Sequence, residues 1–133
     1  MFQRIVLGLG LIVTAYISVR ALSAPEDVLA SFGLIVDGAD GRNEIRGQYG
    51  GFFGAVAVVM VLSLFGRLTE RFGLSLLLIT VGGVLAGRVL SIVIEGPAIL
   101  STYSSGIKIL IIADIALVLL TLIALRQSST KSK

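Results

Sequence analysis

The stretch FGLSLLLITVGGVLAGRVLSIVIEG, residues 72–96, decides the fold. It is long and apolar enough to cross a bilayer as one helix, for which about 20 such residues suffice. Arg88 lies about two helical turns inside its outer end. A charge at that depth is costly unless it is paired or hydrated. The stretch therefore predicts a transmembrane helix whose arginine needs a partner.

The composition of the rest of the chain agrees with a membrane protein. Of its 133 residues, 56% are hydrophobic and 14% are charged, and three more apolar runs are present. We expect a single domain, residues 1–133, of the all-α membrane class with four transmembrane helices. The predicted helices cover about residues 5–22, 44–66, 72–95 and 106–125, followed by a polar, disordered tail, 126–133.

The long polar segment between the first two helices predicts a short surface helix. Ser23 and Glu26 form a capping pattern around a proline, so a helix is expected over about residues 24–32. Val28, Leu29 and Phe32 make one side of it apolar, which predicts an amphipathic interfacial helix. The following Asp37-Gly-Ala-Asp40-Gly41 is typical of turns.

The residue types exclude several kinds of chemistry. The chain has no cysteine and no histidine, which excludes disulfides, thiolate catalysis and His-ligated haem. No metal cluster and no nucleophile–base set is visible, so we expect no cofactor and no enzymatic activity. The net charge of +3 is modest, and the basic residues lie mostly at helix ends, which does not favour nucleic-acid binding.

The charges predict the orientation in the membrane. Six basic residues gather at one end of the helices, opposed there only by Glu70: Arg4, Arg67, Arg71, Arg126, Lys131 and Lys133. The outer segment that follows helix 1, up to and including Glu44, carries five of the eight acids. Cytoplasmic loops are enriched in Lys and Arg, so we expect a multi-pass protein of the bacterial cytoplasmic membrane with both termini in the cytoplasm.

Small residues recur on one face of each of two helices. On helix 2 they are Gly47, Gly50, Gly54 and Ala57, and on helix 3 they are Thr80, Gly83, Gly87 and Ser91. Such faces let helix backbones approach closely. We therefore predict close packing at both.

Asp114 is the predicted partner of Arg88. Each lies eight residues from its end of the short connection between helices 3 and 4, or roughly 12 Å inside the membrane. Since the two helices should be antiparallel neighbours, the charges match in depth. Nearer the surface, a second polar layer is expected from Glu95, Lys108, Glu44 and Arg46, giving a pocket open to the outside. The pair either fixes helix register or forms part of a binding or transport site.

Two motifs carry a resemblance to a known family. The segment NEIRGQYGG, residues 43–51, and the pattern GRxxSxxxEGP, residues 87–97, resemble two signature stretches of small bacterial four-helix membrane proteins of unknown function. The likeness spans nearly the whole chain. It implies the four-helix fold and directs attention to five residues: Arg46, Tyr49, Arg88, Ser91 and Glu95. In such sequences the last acid is often aspartate, and Glu95 keeps its charge. The resemblance implies no activity.

Three classes of function stay open from the sequence. We favour a noncatalytic accessory or assembly subunit of a larger membrane complex, whose partner is another membrane protein or a second copy of the chain. The alternative is a binder or carrier of a lipid, quinone or small amphiphile at the Arg/Asp/Glu pocket. A membrane enzyme has no positive support. A small multidrug transporter is similar in size and helix count, but it places a carboxylate in helix 1, where residues 5–19 have none.

Overall fold

The computed structural model describes residues 1–30, 33–35 and 38–130, and this part of the chain is helical without a strand. Within it, four helices are long and apolar enough to cross a membrane: Phe2–Ser23, Gly38–Leu64, Glu70–Glu95 and Ser105–Gln127. The predicted class, an all-α membrane protein with four transmembrane helices, is confirmed.

The first helix, α1 (Phe2–Ser23), is followed by the short helix α2 (Pro25–Ala30). The proline lies in the first turn of α2, where its missing N–H costs nothing. The short helix predicted between the first two spanning helices is therefore present as α2, with Val28 and Leu29 half-buried, while its location at the membrane surface stays a prediction. Its last predicted residues, including Phe32, lie outside the described part of the chain.

The second membrane-spanning helix begins earlier than predicted and changes its winding midway. It consists of α3 (Gly38–Ile45), a π-helical segment (Arg46–Gly51) and α4 (Phe52–Leu64). The turn predicted at Asp40 and Gly41 is wrong, since both lie in α3. An acidic residue in a first helical turn is stabilised by the helix dipole, and this favours a helix over a glycine turn. Gly38 and Ala39 of that predicted turn also lie in α3, and Asp37 lies outside the described residues.

The third helix, α5 (Glu70–Glu95), has clear start and stop signals. The side chain of Thr69 accepts a hydrogen bond from the Phe72 backbone N–H at 3.2 Å, which caps the first turn. Gly96 ends the helix with φ +85°, a conformation that favours glycine. A short helix, α6 (Ile99–Thr102), then leads to the fourth spanning helix.

That last helix, α7 (Ser105–Thr130), continues beyond the predicted end at residue 125. Residues 126–130 read RQSST and contain neither glycine nor proline, so nothing in the backbone stops the helix there. The tail predicted as disordered is helical over this part. Lys131 and Lys133 lie outside the described residues.

The hydrophobic core lies toward one end of the bundle. We call it the basic end, because Arg4, Arg67, Arg71 and Arg126 lie there. The buried residues of α5 all fall in its first half: Gly73, Leu74, Leu77, Thr80 and Val81. Those of α7 lie from its midpoint onward: Leu117, Thr121 and Ala124. Both groups lie toward the basic end, so α5 and α7 pack into the bundle there and are less covered toward the opposite end.

Helix α1 packs on the π-helical segment and on α4, and two glycines there are in close contact with its side chains. A Cβ on Gly50 would lie 2.6 Å from Leu22 Cδ2, and one on Gly54 would lie 2.9 Å from Ser18 Oγ. Ser18 Oγ also donates to the Gly50 carbonyl at 2.7 Å. At Gly47, in contrast, an added Cβ meets nothing within 4 Å. The small-residue face predicted on this helix is thus packed at Gly50 and Gly54 but not at Gly47.

Candidate functional site

Arg88 and Asp114 form the centre of the candidate site. Arg88 lies on α5 seven residues after the buried Val81, so it continues the core-facing side of that helix toward the opposite end. Asp114 likewise lies one turn before the buried Leu117 of α7. Since α5 and α7 run antiparallel through a short connection, the two side chains come together. Arg88 Nε donates to Asp114 Oδ2 at 2.9 Å.

This pair is half-buried within the chain. The side chains of Arg88 and Asp114 are 25% and 19% exposed, respectively. Charge-assisted hydrogen bonds of this length are stronger than neutral ones, and an opposite charge lowers the cost of burying each group. The pairing gives Arg88 the partner that its depth in α5 requires.

Most of the Arg88 guanidinium remains available to other groups. A guanidinium carries five N–H donors, and here Nε is the nitrogen that contacts an acceptor. Within the described part of the chain, no other hydrogen bond of Arg88 is present. The side chain can therefore bind a further acceptor, such as a carbonyl, a carboxylate or a phosphate, while it stays paired with Asp114.

Polar groups continue along α5 beyond the pair. Ser91, one turn further, lies with its Oγ 3.4 Å from Glu95 Oε1 and 3.5 Å from Tyr103 Oη. Glu95 is exposed at the end of the helix. The structure thus brings Ser91 and Glu95 into one row with Arg88. Tyr103 joins this row through the turn after α6, and the sequence analysis did not identify it as a site residue.

Within the described chain, the other predicted site residues form no hydrogen bond or ion pair with the row formed by Arg88, Ser91 and Glu95. Arg46 Nε donates to the Leu22 carbonyl at 3.2 Å, which directs it to α1. Tyr49 stacks on Phe53 with ring centroids 6.3 Å apart. Glu44 and Lys108 are exposed, and among the described residues no ion pair joins either of them to Glu95 or Arg46.

The expected second polar layer is therefore not formed. The layer is absent because Arg46, in the π-helical segment, points toward α1. The hydrogen bond of Arg46 and the contact of Gly50 with Leu22 hold the π-helical segment of the second spanning helix against α1. The polar row on α5 is instead built from α5, α7 and the turn between them.

The small residues of α5 near the pair form a face that no other part of the described chain covers. A Cβ added at Gly82, Gly83 or Gly87 would meet nothing within 4 Å. Gly83 and Gly87 are exposed, whereas Thr80, one turn earlier, is buried. The close packing predicted for this face of helix 3 is thus absent at Gly83 and Gly87 within the described chain, whereas Ser91 is half-buried beside Tyr103.

An apolar groove of about 520 Å³ lies along the same helix. It is lined by Gly82, Leu85, Ala86, Val89, Leu90 and Val93 of α5 and by Val118 of α7. In a membrane such a groove is filled by lipid chains or by another helix.

Comparison with known proteins assigns the chain to a family. The model for a domain of unknown function, DUF4345, matches residues 2–125. The chain belongs to this family, which confirms the resemblance noted in the sequence. No curated protein and no solved structure matches the chain.

Proposed function

We propose that this member of the DUF4345 family is a noncatalytic accessory or assembly subunit of a larger complex in the bacterial cytoplasmic membrane. The observation that carries the proposal is the uncovered small-residue face of α5. Gly83 and Gly87 are spaced four residues apart, and an added Cβ at either meets nothing within 4 Å. Small residues at this spacing let a second helix approach closely enough for van der Waals packing to hold it.

The occupant of this face is a transmembrane helix of another protein. The groove beside the glycines is lined by apolar side chains, so its partner surface is apolar over most of its length. Arg88 directly follows Gly87 and offers N–H donors beyond the one used by Asp114. The partner helix therefore carries an acceptor, such as an amide or carboxylate oxygen, at the depth of Arg88.

Purification in mild detergent tests this proposal. The tagged full-length protein is expected to retain a stoichiometric membrane-protein partner. Gly83→Leu and Gly87→Leu should lose that partner while the thermal stability of the purified chain stays near wild type, since a Cβ added at either glycine has no group of the same chain within 4 Å. Gly8→Leu is the matched control, because Gly8 also has nothing within 4 Å but lies on α1, and it should retain the partner.

Other results of this purification contradict the proposal. If the chain is recovered alone, with no bound protein, the proposal of an accessory subunit loses its support. Equal retention of the partner by wild type and by both leucine variants shows that the α5 face is not the docking surface. Recovery of a second copy as the sole partner identifies a homo-oligomer instead of an accessory subunit.

A second candidate function, binding of a lipid, quinone or small amphiphile, rests on a different observation. The available donors of Arg88 and the row that continues through Ser91 and Glu95 suit an anionic headgroup or a quinone carbonyl. Extraction of the purified protein with organic solvent tests it. A stoichiometric lipid or quinone that is lost in Arg88→Gln favours this function over the first.

We also propose that both termini lie in the cytoplasm. The support is the concentration of arginines at the basic end, where α1 begins and α7 ends. Arg4, Arg67, Arg71 and Arg126 outnumber the acids there, and Lys and Arg are enriched on the cytoplasmic side of membrane proteins.

A further inference from the structure

A cavity at the basic end lies apart from the Arg88–Asp114 pair and from the glycine face of α5. Its volume is about 570 Å³, and it is formed by the turn between α4 and α5 together with Arg4 of α1. We propose that this cavity binds the phosphate group of an anionic phospholipid. The inference does not rest on the proposed function, because none of its residues belongs to the α5 docking face.

The walls of the cavity are formed before any ligand binds. The last carbonyls of α4 all have donors: Val61 O accepts from Phe65 N at 3.0 Å, and Leu62 O from Arg67 N at 2.8 Å. Leu64 O accepts from Arg4 Nη2 at 2.8 Å. Gly66, in this turn, adopts φ +73°, a backbone conformation that favours glycine. A helix end whose carbonyls are satisfied in this way holds its turn in one conformation.

The charge of the cavity suits an anion. Arg4 and Arg67 line it, and Glu70 is the acid among its lining residues. Both arginines are exposed, and Arg4 uses one guanidinium nitrogen for the Leu64 carbonyl. A guanidinium has five N–H donors in a planar fork that matches phosphate oxygens, so each side chain retains donors for a ligand.

A buried hydroxyl in the cavity wall lacks a partner. Ser63 lines the cavity and is 1% exposed, and its Oγ has no hydrogen-bond partner among the described residues. It lies where α4 and α5 cross, since a Cβ on Gly73 would come within 2.5 Å of it. A buried polar atom without a partner is unfavourable, and such groups in native proteins indicate a missing water, ion or ligand. Rotation of the Ser63 side chain from its contact with Gly73 toward the cavity would let its Oγ donate to a phosphate oxygen held between the arginines.

The surroundings favour a lipid over a free phosphate ion. Phe65, in the cavity wall, is 81% exposed, and Phe72 is 53% exposed one turn after the capped start of α5. Aromatic and apolar side chains at a helix end lie at the boundary between headgroups and acyl chains. A lipid there places its phosphate at the arginines and its chains along the phenylalanines.

Native mass spectrometry of the full-length protein in detergent tests the site, with phosphatidylglycerol, phosphatidylcholine and inorganic phosphate as probes. We expect one phosphatidylglycerol to bind in preference to phosphatidylcholine. Arg67→Gln should weaken this binding about tenfold, the effect of losing one charge-assisted hydrogen bond. Arg71→Gln is the matched control, because it removes the same charge at the same end outside the cavity wall, and its effect should be less than about twofold.

Ser63→Ala separates a ligand contact from a structural role. It should weaken phosphatidylglycerol binding while the melting temperature of the lipid-free protein stays the same or rises, because the variant removes a buried hydroxyl that has no partner. The proposal is overturned if Arg67→Gln and Arg71→Gln weaken binding equally, if the two lipids bind alike, or if Ser63→Ala leaves binding unchanged. If equimolar inorganic phosphate displaces the lipid, the cavity is an anion site, but its ligand is free phosphate and not a phospholipid.

Discussion

Arg88 and Asp114 are each other's main electrostatic support, and this makes their effects on stability non-additive. Asp114→Asn leaves the Arg88 charge without its counter-ion, and Arg88→Gln does the same to Asp114. Truncating one side of a buried pair costs about 3–5 kcal/mol in a protein interior and less where water reaches the site. Because the side chains are 25% and 19% exposed, we expect the lower part of that range or below it.

The double variant Arg88→Gln with Asp114→Asn should recover part of this loss, since two neutral amides can hydrogen-bond to each other. The expected coupling energy is about 1–3 kcal/mol, measured as the free energy of unfolding of the four proteins in detergent. If the pair only fixes helix register, partner retention returns together with stability. If it binds a ligand, stability returns but ligand retention stays lost. Additive effects of the two single changes would contradict the contact.

The Arg88–Asp114 contact could be predicted from the sequence because the depth of a residue in a transmembrane helix follows from its position along that helix. Both residues lie eight positions from the ends of the connection, and the rise per residue is fixed. The prediction of a second polar layer was wrong because the depth of a residue does not determine the direction in which its side chain points around the helix axis. Lys108 and Glu44 have suitable depths, but helix packing turns Arg46 toward Leu22 instead. Tyr103 was missed for a similar reason, since its approach to Ser91 depends on the path of the turn after α6.

Gly50 and Gly54 determine how closely α1 and the second spanning helix approach. An added Cβ would lie 2.6 Å from Leu22 Cδ2 at Gly50 and 2.9 Å from Ser18 Oγ at Gly54. Gly50→Leu and Gly54→Leu should therefore destabilise the protein by about 1–3 kcal/mol or more, the usual cost of overpacking. The measurement is thermal unfolding of the purified protein in one detergent.

Gly47→Leu is the matched control for these two variants. Gly47 lies in the same π-helical segment as Gly50, but an added Cβ there meets nothing within 4 Å. Its melting temperature should stay close to that of wild type. A loss at Gly47 as large as that at Gly50 would mean that the variants act through the π-helical winding and not through the contact with α1.

The helices were predictable from apolar length, but their irregularities were not. Apolar length predicts which runs span the membrane, and the four observed spans follow it. The π-helical segment Arg46–Gly51 lies where Gly50 meets Leu22 of α1, which is a tertiary contact that no local pattern encodes. The same holds for the uncovered face of α5: Gly83 and Gly87 repeat at a spacing suited to helix packing, yet within the described residues no helix packs against them.

The bundle as a whole is asymmetric from end to end. Leu7, Met60, Leu74 and Leu77 are fully buried near the basic end, where all four spanning helices contribute to the core. Toward the opposite end, α5 and α7 leave the polar row of Arg88, Ser91 and Glu95 half-buried or exposed. The stable core and the candidate functional surface therefore lie at different depths of the membrane. Changes near Arg88 can alter binding without unfolding the core.

This asymmetry makes the orientation of the chain important, because it decides which side of the membrane the polar row on α5 approaches. The arginines of the basic end predict that this end faces the cytoplasm. The polar row should then open toward the outside of the cell.

Reporter fusions check the orientation directly. A reporter that is active only in the cytoplasm should be active when fused after Lys133 and inactive when inserted at Leu34, which lies outside the helices between α2 and α3. A reporter that is active only outside the cytoplasm should give the reverse pattern, and its fusion at Leu34 is the control for expression. If the cytoplasmic reporter is active at Leu34 and silent after Lys133, the basic end faces outward. The arginines would then not set the direction of insertion, and the phosphate site proposed at Arg67 would lie in the outer leaflet.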